Sequence, residues 1–321
     1  MPAPIRSSSV QKQTQRRDLD GVLLLDKPAG ITSNAALQRV KRLYGAAKAG
    51  HCGTLDPMAT GLLPACFGEA TKFSAGLLDA AKTYQATIKF GITTTTGDAE
   101  GEVLADCGAV DVQRSRIEAA LVHFVGDIQQ VPPMYSALKR DGKALYTYAR
   151  QGIELERAPR FVHIFRIELI AAPGDEVARA RPDEIDLRVR CSKGTYVRVL
   201  AEDIGRALGC GAHLKALRRV AVGGLHVDHA LTFTQLEAMT SGERDSRLLD
   251  EDSLLSTLPS VTLDAADSRA LLQGKRVCCA LEASAGSLRI YDQDHRFLGI
   301  GEIAAEGLIS PKRLISTERF A

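Results

Sequence analysis

The run His51-Cys52-Gly53-Thr54-Leu55-Asp56-Pro57-Met58-Ala59-Thr60-Gly61-Leu62-Leu63 constrains this chain more than any other stretch. It follows neither the period of a strand nor that of a helix, and its two glycines and one proline mark a loop. Pro57 pushes Asp56 out of the αR region, so the carboxylate projects from a bent backbone. Leu62 and Leu63 follow at once and pin the loop to a core. Two roles are open to Asp56: a turn former bonded to its own backbone, or a lone acid presented by a rigid loop for chemistry.

Regular elements surround this loop. Gly21 to Lys27 reads as a buried strand ending in a turn at Pro28, and Thr32-Ser33 caps a helix with Leu37, Val40 and Tyr44 on one face. Lys82 to Phe90 alternates as a half-buried strand, with Tyr84, Ala86, Ile88 and Phe90 inward. Thr93 to Glu102 reads as a polar connecting loop, and Arg114 to Phe124 as a short amphipathic helix. Asp186 to Cys191 alternates again and turns at Ser192-Lys193-Gly194-Thr195 into a helix carrying Val197, Leu200, Ile204 and Leu208 on one stripe. Arg198 begins that helix, where the dipole favours negative charge, so a buried carboxylate is the expected partner. Arg218 and Arg219 read as the end of a helix or short strand and suit phosphate contact.

Between residues 129 and 160, Tyr135, Tyr146 and Tyr148 interleave with Lys139, Arg140, Lys143 and Arg150. Rings stack on unpaired bases while cations follow phosphates, although core packing would also suit these tyrosines. Residues 1–48 hold nine Lys and Arg against three Asp, and residues 186–219 eight against three acids. Such basic blocks, within a net charge of only +2, point to a localised surface for a polyanion or to solvated helix faces. The seven cysteines are scattered with no C-x-x-C pair, which indicates neither a zinc site nor a disulfide framework and fits a reducing compartment. No apolar run long enough to span a bilayer occurs.

The ordered motifs carry a resemblance. The string His51 to Leu63, Asp26-Lys27-Pro28 through Ser33, Lys82-Thr83-Tyr84, Thr94 to Gly101, Cys191 to Arg198, and Ala212 to Arg219 together resemble the TruB-type tRNA pseudouridine-55 synthases. The resemblance covers roughly residues 20 to 310 and implies catalysis by Asp56 as nucleophile, with Arg198 paired to it and Tyr84 packed on the target uracil or serving as a base. It also implies that His51 fills the space of an extruded base, that Tyr196 and Leu217 wall the uracil pocket, and that Lys27, Arg150 and Arg218 contact RNA or support the site. Lys27 reads equally as a turn residue near the loop. Arg198 is expected to hold Asp56 ionised by lowering its pKa.

The expected fold is α+β: a catalytic domain on a mainly antiparallel mixed sheet, plus a small β-rich PUA-like C-terminal domain. We divide the chain into a disordered basic tail (1–18), the catalytic domain (19–248, with a thumb-like RNA-binding insertion at about 129–160) and the PUA-like module (249–321). Residues 242–259 read as an exposed connection. The implied reaction is isomerisation of uridine 55 in the tRNA T-loop, in the cytoplasm, by a monomer needing no cofactor, metal, membrane or obligatory protein partner. Two alternatives are an RNA-binding module without chemistry and a guide-RNA-dependent synthase of the same superfamily. The paired Asp56 and Arg198 speak against the first, and the Lys139–Gly152 insertion against the second.

Overall fold

The computed structural model describes residues 16–108, 110–170, 183–278, 286–304 and 307–316. In chain order, β1 (Gly21–Lys27) leads through a Thr32-capped turn into α1 (Ser33–Tyr44), then β2 (Ala49–His51) and β3 (Thr60–Phe67). A short α2 (Ala75–Leu78) precedes β4 (Lys82–Phe90) and the small hairpin β5 (Ile92–Thr94) with β6 (Val103–Asp106). Next come α3 (Arg114–Val122), β7 (Gly126–Gln130), a two-residue hairpin of β8 (Lys139–Arg140) with β9 (Lys143–Ala144), and α4 (Leu145–Ala149). The first half of the molecule closes with β10 (Arg160–Leu169), β11 (Glu184–Cys191), α5 (Val197–Leu208), β12 (Ala212–Val222) and β13 (Leu225–His226).

Among the described residues, nine of these strands form one sheet, with the main order β1-β3-β12-β4-β11-β10-β7. Every pair is antiparallel except β3 with β12, which run parallel through Thr60–Arg218 and Gly61–Arg219. The alternating strands turn Ala86, Ile88, Leu187 and Val189 toward one face. There they pack on Leu37 and Val40 of α1, Ile117 of α3, and Leu200 and Ile204 of α5, forming the principal core. Helices therefore cover one face of the sheet, and α5 delivers its first turn to the end of β11.

After α6 (Phe233–Ala238) and α7 (Ser241–Asp245), a second sheet begins with β14 (Ser260–Thr262) and continues past α8 (Ala265–Leu272). It comprises β15 (Val277–Cys278), β16 (Gly286–Tyr291), β17 (Phe297–Ile303) and β18 (Leu308–Leu314), in the order β14-β16-β17-β18-β15. Its own core is built from Leu271, Leu288, Ile290, Leu298 and Ile309.

The structure differs from the sequence reading in four places. The catalytic-loop candidate is shorter than expected, because His51 ends β2 and Thr60 already begins β3. Arg218 and Arg219 lie inside an eleven-residue strand rather than at an element's end. The stretch expected as an exposed connection folds inward at Leu254 and Leu255, which pack with Phe73 and Leu77 under β1 and β3. Finally, residues 1–15 of the expected tail lie outside the described residues, but Arg17 is docked, paired with Asp245.

Candidate active site

The loop between β2 and β3 is held as tightly as a core element. Ser33 Oγ at the start of α1 bonds both backbone groups of Leu55, accepting from its N–H (2.8 Å) and donating to its C=O (2.9 Å). The buried Arg219 on β12 donates to the carbonyls of Gly53, Thr54 and Leu62. The fully buried Lys27 donates to Pro28, Ile31 and Pro57 carbonyls, and Gly30 N–H donates to Pro57 O as well. Gly61 is required here: with φ at +99°, a Cβ would stand 2.3 Å from Arg219 O. These contacts leave Asp56 little freedom except at its carboxylate, whose side chain is 39% exposed.

That carboxylate meets the guanidinium of Arg198, with Nη2 at 3.1 Å from Oδ2. Arg198 is almost fully buried, and its Nη1 also lies 3.4 Å from Asp98 Oδ2. It donates further to Thr96 O (3.2 Å) and Tyr135 O (2.7 Å). A cation at the first turn of α5 opposes the helix dipole, and two carboxylates offset that placement. The expected partner is thus present, together with a second acid. Asp98 went unused in the sequence reading although it stands in the Thr94–Gly101 motif; it is itself braced by Thr96 Oγ1 and Glu100 N–H.

The charge balance at Asp56 runs opposite to expectation. Burial pushes its carboxyl above the usual aspartate range, Arg198 pulls it down, Asp98 pushes it up and Lys27 pulls it down, with a net rise. Arg198 therefore does not lower the pKa below ordinary, because the same guanidinium is shared with Asp98 and the site is poorly solvated.

Asp56 and Arg198 open onto a cavity of about 250 Å³, also lined by Tyr84, Tyr196, Leu217 and Lys82. It is smaller than the roughly 300–1,000 Å³ of drug-sized sites, which suits a single base. Tyr84 comes from β4, and burial raises its phenol above the ordinary value while Arg219 acts against that. Tyr196 caps α5, where Gln130 at the end of β7 grips both its backbone groups, accepting from its N–H (2.9 Å) and donating to its C=O (3.2 Å). Burial likewise raises the Tyr196 phenol. Leu217 reaches the cavity from β12.

The other sequence-predicted residues stand apart from this cavity. His51 is half-buried at the end of β2, and burial lowers its pKa with help from Arg219, which favours the neutral ring. Lys27 has no exposed surface for phosphate; burial lowers its pKa to about 8, and it acts on the loop from beneath. Arg218 forms a two-pronged pair with Asp26 (2.9 and 2.7 Å) on the strand next to the cavity wall. Arg150 lies in the insertion, 5.4 Å over the Tyr146 ring. Gln130, Ser33 and Arg219 in its clamping role escaped the sequence, since each acts on backbone atoms far away in the chain. Among the described residues no group of three or more His, Cys, Asp or Glu could hold a metal ion, and no helix is long and apolar enough to cross a membrane.

Comparison with known proteins agrees with this geometry. Residues 41–197 match the TruB family pseudouridylate synthase N-terminal domain. Residues 198–258 match the tRNA pseudouridylate synthase B C-terminal domain, and 259–315 the pseudouridine synthase II TruB C-terminal domain. The chain is 56% identical over 315 residues to tRNA pseudouridine synthase B of Burkholderia mallei, covering 96% of this chain and 98% of that one. It is 56% identical over 310 residues to the protein of that name from Aromatoleum aromaticum, covering 97% of each. Among solved structures, a Cbf5-Nop10-Gar1 complex shares the fold, with a TM-score of 0.68 at 24% identity over 92% of this chain and 84% of that one. With its acid, guanidinium and tyrosines gathered around one base-sized cavity, and with relatives matching it nearly end to end, the chain belongs to the TruB family of pseudouridine synthases.

Proposed function

We propose that this protein isomerises uridine 55 in the T-loop of tRNAs to pseudouridine, with Asp56 as nucleophile acting on an extruded base. The observation that carries the reading is the Asp56–Arg198 pair facing a base-sized cavity walled by Tyr84. The cavity beside Asp56 is sized for one base, which a nucleotide stacked in its loop cannot insert, so the target must flip out. The N1–C1′ bond then breaks with its electron pair leaving on uracil, C5 bonds to C1′, and the C5 proton is lost while N1 gains one. Ionised Asp56 serves the first stage either by attacking C1′ or by removing a sugar proton. Arg198 compensates the carboxylate's charge in the poorly solvated site. Neutral Tyr84 packs on the uracil; service as the final base would need a phenolate, which its burial disfavours.

Tyr196 and Leu217 complete the wall, and His51 enters the space left by the flipped base. Lys27 supports the Asp56 loop through Pro57. Residues 19–248 form the catalytic part, in which the insertion at 129–160, including Arg150, closes on the T-arm, while Arg218 lies along the RNA path. The module at 249–321 adds a second RNA contact. Activity on tRNA suits a cytoplasmic protein, and our reading has it act there as a monomer without a guide RNA.

The test is pseudouridine formation in an unmodified tRNA T-stem-loop by wild type and Asp56→Asn, with binding measured alongside. Lost conversion with retained binding is expected. Equal conversion by both proteins removes Asp56 from the chemistry, and binding without conversion by either favours a non-catalytic module.

A further inference from the structure

One polar group in the cavity has no role so far. Ser136 is 4% exposed, lines the cavity that Asp56 and Tyr84 share, and its Oγ makes no hydrogen bond of regular geometry among the described residues, although the Tyr196 phenol lies within reach. A buried hydroxyl left unpaired costs free energy, and such groups in native structures call for a reason. A polar partner arriving with the substrate is one.

The backbone around Ser136 is fixed, so its position is a built feature. Tyr146 N–H donates to Ser136 O (3.1 Å), and Leu145 N–H donates to Leu138 O (2.7 Å). On the other side, Arg198 Nη2 donates to Tyr135 O (2.7 Å) while holding Asp56 (3.1 Å). One guanidinium thus sets the placement of the residue before Ser136 relative to the nucleophile. Ser136 Oγ lies within hydrogen-bonding reach of the Tyr196 phenol and through it partly offsets the upward push of burial there, which puts the hydroxyl beside the wall proposed to face uracil.

We propose that Ser136 Oγ donates a hydrogen bond to a carbonyl oxygen of the target uracil and is a substrate-contacting specificity residue. Uracil presents carbonyls at C2 and C4, and a serine hydroxyl can donate to either. The proposal rests on the reading that this cavity receives the extruded uridine. As the N1–C1′ electron pair leaves on uracil, negative charge grows on that carbonyl oxygen, so the bond strengthens toward the transition state and its loss lowers kcat/KM, mostly through kcat.

The experiment is steady-state conversion of a T-stem-loop carrying uridine, 2-thiouridine or 4-thiouridine at the target, by wild type, Ser136→Ala and Ser136→Cys. Ser136→Ala should lower kcat/KM about five- to tenfold, mostly through kcat, and Ser136→Cys should fall between it and wild type. Sulfur accepts hydrogen bonds weakly, so one of the two thio substitutions should lower kcat/KM in wild type and lose that effect in Ser136→Ala. Unchanged kcat/KM in both variants, or equal thio effects in wild type and Ser136→Ala at both positions, overturns the proposal. Thermal melting reports whether the variants fold, and the nearly isosteric Ser136→Cys carries the test if Ser136→Ala does not. Asp56→Asn in the same assay separates the two readings. If it converts normally, the site assignment itself fails. If it is inactive while the Ser136 variants behave as wild type, Ser136 alone is dismissed.

Discussion

Asp56 stands among two cations and a second acid, and the balance among them sets the pH at which it ionises. Burial and Asp98 raise its pKa, whereas Arg198 and Lys27 lower it. On the proposed mechanism the ionised form reacts, so single-turnover conversion should rise with pH along an acid limb lying above an ordinary aspartate's position. Asp98→Asn removes one negative charge beside Arg198, so that limb should move to lower pH; an upward shift would contradict the scheme. Asp56, Tyr84 and Arg198 were legible in the sequence because each stands in a motif or breaks a local rule, as Arg198 does at its helix start. Asp98 was passed over because a T-x-T-x-D loop has the composition of any polar turn. The contribution of Asp98 appears only where Arg198 lies across both acids.

At the scale of elements, the site depends on two clamps: Arg219 on the carbonyls of the Asp56 loop, and Gln130 on the start of α5. Gln130 ends β7 and fixes the start of α5 by occupying both backbone groups of Tyr196. Gln130→Leu should strand those groups in a buried setting and cost about 1–3 kcal/mol, read from urea denaturation, with conversion falling as Tyr196 shifts. A loss below about 0.5 kcal/mol would mean that water replaces the amide readily. Strands β4 and β11 and the stripe of α5 were legible because one buried face imposes a clean period on each. Strand β12 was not. Register shifts at Leu214–Ala216 and Arg219–Ala221 interrupt its alternation, so eleven residues of strand resemble short fragments. Leu254 and Leu255 escaped for a similar reason: a single 3₁₀ turn buries two consecutive residues within an acidic, Ser-rich stretch and leaves no period to detect.

The whole molecule adds a second, five-stranded sheet to the catalytic one, and the two share contacts around Phe73, Phe297 and Ile315. Lys275 and Arg276 on this module are exposed, and on the proposed function they are placed to meet RNA beyond the T-arm. Replacing both by Glu should weaken binding of full-length tRNA about three- to tenfold and flatten its salt dependence, while leaving an isolated T-stem-loop bound as before. Equal weakening of both RNAs would place these residues on the T-arm path instead. The division into two sheets was visible in the sequence from turn spacing and a change in composition, but the packing between them required coordinates. One consequence concerns how the chain acquires its chemistry. Arg198 fastens Thr96 and Tyr135, 102 and 63 residues away, in addition to the more distant Asp56. Contacts so remote along the chain close late in folding, after the local hairpins and helices have formed. A nascent or refolding chain can therefore present basic surface to RNA well before it has a reactive centre, and catalytic competence marks the end of folding.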